Sequence, residues 1–111
     1  MTRAELILET RRLVGSGERL LADPSLAALR TWLGESDTLL AGAWGAMDRY
    51  HLAWLGVGRP RERIRGRAMD ASEEADYVRE VAGQKTAALR MSLKAAEEGM
   101  PFRGETAEAG R

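Results

Sequence analysis

The densest set of side chains able to bind an anion is an arginine run in the middle of the chain. In the stretch GRPRERIRGR, residues 58–67, arginine stands at every second position and one acid, Glu62, interrupts the run. In an extended segment, alternate side chains point to the same side, so the guanidinium groups would form one cationic edge. Such an edge suits a nucleic-acid phosphate backbone or an acidic groove on a protein. The predicted partner- or phosphate-binding residues are Arg59, Arg61, Arg63, Arg65 and Arg67.

The acidic segment that follows supports a different interpretation of the run. Residues 70–80 contain five acidic residues and one basic residue, Arg79. An arginine-rich connector could fold back onto this segment through exposed ion pairs, which stabilise a protein only slightly. The run also contains no aromatic residue, whereas single-strand binders stack bases on aromatic side chains. A connector, a protein-binding edge and a phosphate-binding edge therefore stay open as alternatives.

Residues suited to catalysis or metal binding are sparse. His51 is the only histidine, and the absence of cysteine removes thiolate metal sites and cysteine nucleophiles. Asp48 precedes His51 at helical spacing and could form a weak pair with it, but His51 lies in an apolar stripe that favours a packed or interfacial role. The Gly-Ser-Gly at residues 15–17 follows no strand and lacks the lysine of a phosphate loop. We therefore expect no enzyme activity, no cofactor, no metal and no small-molecule substrate.

The three tryptophans are the largest side chains that could contact a partner. Core packing is the favoured role for Trp44 and Trp54, which share the apolar stripe of a predicted helix, and Trp32 stands beside a leucine stripe. Tryptophan is nevertheless enriched at binding hot spots. The candidate interface residues are Trp32, Trp44, His51 and Trp54.

Helix signals dominate the first part of the chain. A Thr-x-x-Glu capping box at residues 2–5 predicts the start of a first helix, and the glycines at 15–17 predict a break or a kink in it. Asp23 suits the N-cap of a second helix and Pro24 its first position. Gly34 is expected to end this second helix.

Two further helices follow. Ser36 or Asp37 is predicted to cap a third helix that runs to about Leu55, apolar on one side and lined by glycine and alanine on the other. A second capping box at residues 70–73 predicts the start of a long last helix, which Gly99 ends.

These elements predict an all-α fold, because no segment shows the period-two alternation of a strand. We expect a small four- to five-helix bundle with up-and-down connections. A chain of 111 residues suits one domain. This single helical domain is assigned to residues 1–99, and residues 100–111 are expected to form a flexible, disordered tail.

Charge and hydropathy limit where the protein is expected to work. Seventeen basic residues balance seventeen acidic residues, whereas nucleic-acid-binding domains usually carry a basic excess. The charged N-terminal segment does not fit a signal peptide. The longest low-charge run, residues 38–55, contains Asp48 and Arg49, which would be unfavourable in a membrane span. We expect a cytoplasmic protein without a membrane partner.

The preferred hypothesis is a non-enzymatic helical interaction or assembly protein, an accessory or regulatory subunit that binds a protein partner or forms a homo-oligomer. It is based on the third helix with two low-polarity faces and on the alanine-lined last helix, which together offer more apolar surface than one small bundle easily covers. The alternative is a nucleic-acid-associated small subunit that places its arginine-rich loop on the phosphate backbone.

Overall fold

The computed structural model describes residues 1–58 and 67–106. Over these ranges the chain forms four α-helices and no strand. They are α1 (Arg3–Ala22), α2 (Leu26–Trp44), α3 (Arg49–Leu55) and α4 (Ala71–Glu97). The all-α class predicted from the sequence is confirmed.

Helices α1 and α4 form the main packed pair and run in opposite directions. Arg3, at the start of α1, donates a hydrogen bond to the carbonyl of Ala96 near the end of α4, at 2.9 Å. At the other end, Arg79 donates to the carbonyl of Leu21 at 3.3 Å. Between these contacts the facing side chains are buried: Leu6, Leu13, Val14, Leu20, Val78, Val81, Ala82, Leu89 and Ala96.

The predicted break at residues 15–17 is wrong, because α1 continues through them to Ala22. Gly17 is buried where α1 approaches both α4 and α2. A Cβ atom there would overlap the Thr86 hydroxyl of α4 and lie 2.9 Å from Cζ2 of Trp32 on α2. Gly17 therefore permits close helix packing and does not end a helix.

The boundaries of α2 also differ from the prediction. Ser25, not Asp23, is the N-cap, and its hydroxyl accepts from the backbone N–H of Ala28 at 3.2 Å. The helix then passes through Gly34 and ends at Trp44. A glycine in a helix interior weakens the helix without breaking it when the flanking turns are packed.

The predicted third helix is divided into the end of α2 and the separate α3. Two residues with positive φ interrupt it, Gly45 at 107° and Met47 at 63°. Asp48 then caps α3, its carboxylate accepting from the backbone N–H of Arg49 at 2.8 Å. The sequence missed this break because its apolar stripe keeps helical spacing across the turn.

The start of α4 follows the prediction. Asp70 and Glu73 form a reciprocal capping box, with backbone-to-carboxylate hydrogen bonds of 2.9 and 3.1 Å. After α4, Gly99 adopts a φ of 84°, as expected of a glycine just beyond a helix end.

Residues 100–106 pack against the bundle, where the sequence analysis expects a flexible tail. Phe102 is 6% exposed, and the backbone N–H of Gly104 donates to the carbonyl of Ala43 at 2.9 Å. Thr106 donates in the same way to Met1 at 2.9 Å. The remainder of the predicted tail, residues 107–111, lies outside the described residues.

The molecule measures 57 × 24 × 19 Å along its principal axes. At 1.5 Å per residue, α4 is about 40 Å long and sets the long dimension. Among the described residues, none of the helices combines the length and the apolarity needed to cross a lipid bilayer.

Candidate functional site

Arg67 is the one member of the arginine run within the described residues, and it folds onto α4. Its guanidinium group donates two hydrogen bonds to the Glu73 carboxylate, at 2.6 and 3.0 Å. These bonds, with the backbone N–H of Asp70, lower the pKa of Glu73 to about 2. Arg67 therefore behaves as the connector interpretation expects. The other predicted members, which lie outside the described residues, are Arg59, Arg61, Arg63 and Arg65.

The four candidate interface residues lie inside the bundle. The indole N–H of Trp32 donates to the carbonyl of Leu13, and that of Trp44 to the Ser92 hydroxyl, both at 2.8 Å. Because the chain itself covers these side chains, their assignment to an interface is corrected to a role in the core. The exposed fractions are 2% for Trp32, 6% for Trp44, 6% for His51 and 4% for Trp54.

His51 pairs with Asp37 of α2 and not with the neighbouring Asp48. Its Nδ1 accepts from the backbone N–H of Met47 at 2.9 Å, so the ring carries its proton on Nε2. Nε2 lies 2.6 Å from Oδ1 of Asp37 and donates to it. Both ring nitrogens are thus engaged in holding the turn between α2 and α3. The spacing of 14 residues across a helix break gave no sequence signal for this pair.

Lys85 is a buried charge that the sequence analysis did not identify. Its ammonium group donates to the backbone carbonyl of Trp54 at 2.6 Å. It also lies 4.0 Å from the centre of the indole ring of Trp54. Its side chain also packs against Gly58, whose φ is 71° and whose N–H donates to Gln84 at 2.9 Å. The sequence signal for this burial was the helical spacing of Lys85 from Val78 and Val81, which lie on the buried face of α4.

A groove of about 730 Å³ lies between α1 and α2. Helix α2 contributes residues 30, 31, 34, 35, 38, 39, 42 and 43, which recur once per turn, and α1 contributes Glu9 and Arg12. Met1 and Gly104 close one end.

The groove floor is formed by small residues that the described part of the chain leaves uncovered. A Cβ atom at Gly34 or at Gly42 would meet no atom within 4 Å. Thr31 and Thr38, one turn away on the same face, are exposed. Helix α2 carries only three charged residues in 19, and two of them, Arg30 and Glu35, lie at the rim of the groove.

The charges at the groove rim are largely neutralised within the molecule. Arg12 donates to Glu35 across the groove at 2.9 Å and to Glu9 on its own helix at 3.1 Å. These bonds, chiefly the one to Glu35, raise the pKa of Arg12. Arg30 also lines the groove and has no hydrogen bond or ion pair with any described residue.

The groove is lined by one arginine, Arg30, without a partner among the described residues, beside a floor of small residues. Within residues 1–58 and 67–106, no group of three or more histidine, aspartate or glutamate side chains is placed to hold a metal ion. Comparisons with protein-family models, curated proteins and solved structures find no match to the chain.

Proposed function

We propose that this protein is a non-enzymatic helical interaction protein, an accessory or assembly subunit that docks an α-helix of a partner protein in the groove between α1 and α2. The observation that carries the proposal is the uncovered floor of the groove at Gly34 and Gly42.

The two floor glycines support helix docking because the isolated fold gains nothing from them. A glycine in a helix interior destabilises the helix by about 1 kcal/mol relative to alanine. At Gly17, close packing requires that the residue has no side chain. At Gly34 and Gly42, the described chain leaves open space where a side chain could stand. A docked helix would explain why these two positions are glycine, because small residues allow two helix axes to approach to about 8 Å.

The bundle has a position for one more long helix. The three long helices are α1, α2 and α4, while α3 has only seven residues and is about 10 Å long. We take the long helices to follow one another up and down. A helix in the groove would pack against both α1 and α2 along their open sides.

Charge indicates what the docked helix should carry. Arg12 is already neutralised by Glu9 and Glu35, so Arg30 is the one arginine of the groove lining without an acidic partner among the described residues. We therefore expect a helix with a stripe of small or apolar residues and an acidic side chain opposite Arg30. A partner of this kind buries no unpaired charge.

The proposal is tested by crosslinking from the groove in cells that make the protein naturally. A photoreactive amino acid at Thr38 should give a discrete crosslinked product, and the same group at the exposed Ala87 of α4 should not. Gly34→Leu should abolish the product by filling the groove. Gly15→Leu is the matched control, because Gly15 also lies in a helix interior with room for a side chain.

The outcomes separate the kinds of partner. A product with twice the mass of the chain, together with a dimer in light scattering, would identify the partner as a second copy. A product that survives Gly34→Leu, or the lack of any product at Thr38, would overturn docking in this groove.

A further inference from the structure

A second cavity, of about 370 Å³, lies where the end of α2, the start of α3 and residues 100–106 meet. Aromatic rings form its wall: the centres of Trp44 and Tyr50 are 4.6 Å apart, and those of Trp44 and Phe102 are 5.9 Å apart. The volume lies within the range of about 300–1,000 Å³ typical of small-molecule sites.

Two arginines that have no partner among the described residues line this cavity. Seven of the ten arginines in the described residues bond to another side chain or to a carbonyl. The three that do not are Arg30, Arg49 and Arg103. Two of these three, Arg49 and Arg103, line the aromatic-walled cavity.

The placement of Arg103 is fixed by its surroundings although no acid balances it. Its guanidinium atoms lie 3.1 to 3.3 Å from the position that a Cβ atom of Gly45 would occupy. Gly45 has a φ of 107°, a conformation that strongly favours glycine. The burial of Phe102 holds the segment that carries Arg103 in place. Arg103 is exposed, so its guanidinium group is available to an anion from outside the chain.

The cavity has a net positive charge. Asp48 is the one acid that lines it, and its carboxylate accepts from the backbone N–H of Arg49 at 2.8 Å. Two guanidinium groups therefore face one carboxylate that already has a partner. This excess favours an anionic ligand.

We propose that this cavity binds a small molecule that carries a phosphate monoester on an apolar, ring-sized group. Guanidinium groups bind phosphate through paired N–H donors, and Arg49 and Arg103 supply two of them. The apolar lining residues Met100 and Pro101, which are more exposed than the rings, would contact the apolar group. This site is separate from the groove between α1 and α2, and the proposal does not depend on helix docking there.

Phenyl phosphate is the probe for a direct test, followed by the NMR signals of the three indole N–H groups. We expect a saturable shift of the Trp44 indole signal, identified with Trp44→Phe, while the signals of Trp32 and Trp54 stay in place. Arg49→Ala and Arg103→Ala should each weaken binding about tenfold or more. Both side chains are exposed, so the melting temperature should stay that of the wild type.

Arg30→Ala is the matched control, because it removes the third unpartnered arginine from a different surface. Unchanged binding in this variant supports the site. Equal weakening in all three variants would show that binding depends only on the net charge of the protein, and would overturn the proposal. Inorganic phosphate and benzyl alcohol test the two halves of the probe, and each alone should bind more weakly. A lack of saturable shift up to about 10 mM phenyl phosphate also overturns the proposal.

Discussion

At the scale of single residues, glycine has two opposite roles in this bundle. Gly17 lies between α1, Thr86 and Trp32, where any side chain would overlap its neighbours. Gly34 lies on the open floor of the groove, where a side chain meets nothing within 4 Å. The two positions therefore predict substitutions with opposite effects on stability.

We expect Gly17→Ala to destabilise the protein by about 1–3 kcal/mol, because overpacking outweighs the gain in helix propensity. Gly34→Ala should stabilise it by about 0.5–1 kcal/mol, since only the propensity changes. Urea unfolding followed by circular dichroism measures both. If Gly17→Ala were as stable as the wild type, the close contact between α1 and α4 would not be required by the fold.

The sequence cannot distinguish these glycines, because both stand within helical patterns and the distinction depends on which helix lies opposite. Some signals that act within one turn were confirmed, since both capping boxes and the stop at Gly99 are present. Others were wrong, since Asp23 is not the N-cap of α2 and Gly34 does not end it. The cavity arginines had no such signal. Arg103 reaches its position only because residues 100–106 fold back onto the end of α2.

At the scale of the elements, the start of α4 depends on charge. The Arg67 guanidinium and the Asp70 backbone N–H both stabilise the ionised form of Glu73, which lowers its pKa from 4.5 to about 2. A carboxyl group with a lowered pKa in the folded state stabilises the fold fully above its unfolded pKa. That contribution is lost as the pH falls through the folded value.

We therefore expect Glu73→Gln to lower the melting temperature at pH 6, and the difference from the wild type to shrink between pH 4.5 and about 2. Glutamine can also occupy the third position of a capping box, so the comparison isolates the charge. Thermal melts across this pH range test the prediction. Glu74→Gln is the control, because Glu74 has the same helix position within one residue but no ion pair among the described residues.

The break between α2 and α3 shows why the middle of the fold was harder to predict. The apolar residues Leu40, Trp44 and Trp54 keep a helical spacing and are all buried, as the pattern indicates. The helix nevertheless ends at Trp44, because the following turn places Asp48 as a new N-cap and Met47 against His51. An apolar stripe in the sequence indicates which side chains are buried. It does not indicate whether the backbone stays helical between them.

At the scale of the whole molecule, residues 100–106 pack on the bundle and place Phe102 in its core. Phe102 is buried against Trp44, and the Arg3 guanidinium lies 5.2 Å above its ring. Met1 and Thr106 are joined by a backbone hydrogen bond, so both ends of the described chain meet at one end of the bundle.

We expect Phe102→Ala to destabilise the protein by about 3 kcal/mol or more, the range measured for large aromatic side chains in cores. Arg103→Ala, one residue along and exposed, should change stability by less than about 0.5 kcal/mol. Urea unfolding of both variants provides the comparison. Equal stability of Phe102→Ala and the wild type would show that the segment does not contribute to the core.

The distribution of charge over the molecule argues against the nucleic-acid alternative. Six of the ten described arginines form ion pairs with the protein's own carboxylates. With a formal net charge of zero, the chain also lacks the basic excess that is usual among nucleic-acid-binding domains. We expect no tight binding of DNA or RNA by fluorescence anisotropy, even at low salt. Tight binding that weakens steeply with salt, and less steeply after Arg61, Arg63 and Arg65 are changed to alanine, would instead make the arginine run a phosphate-binding edge.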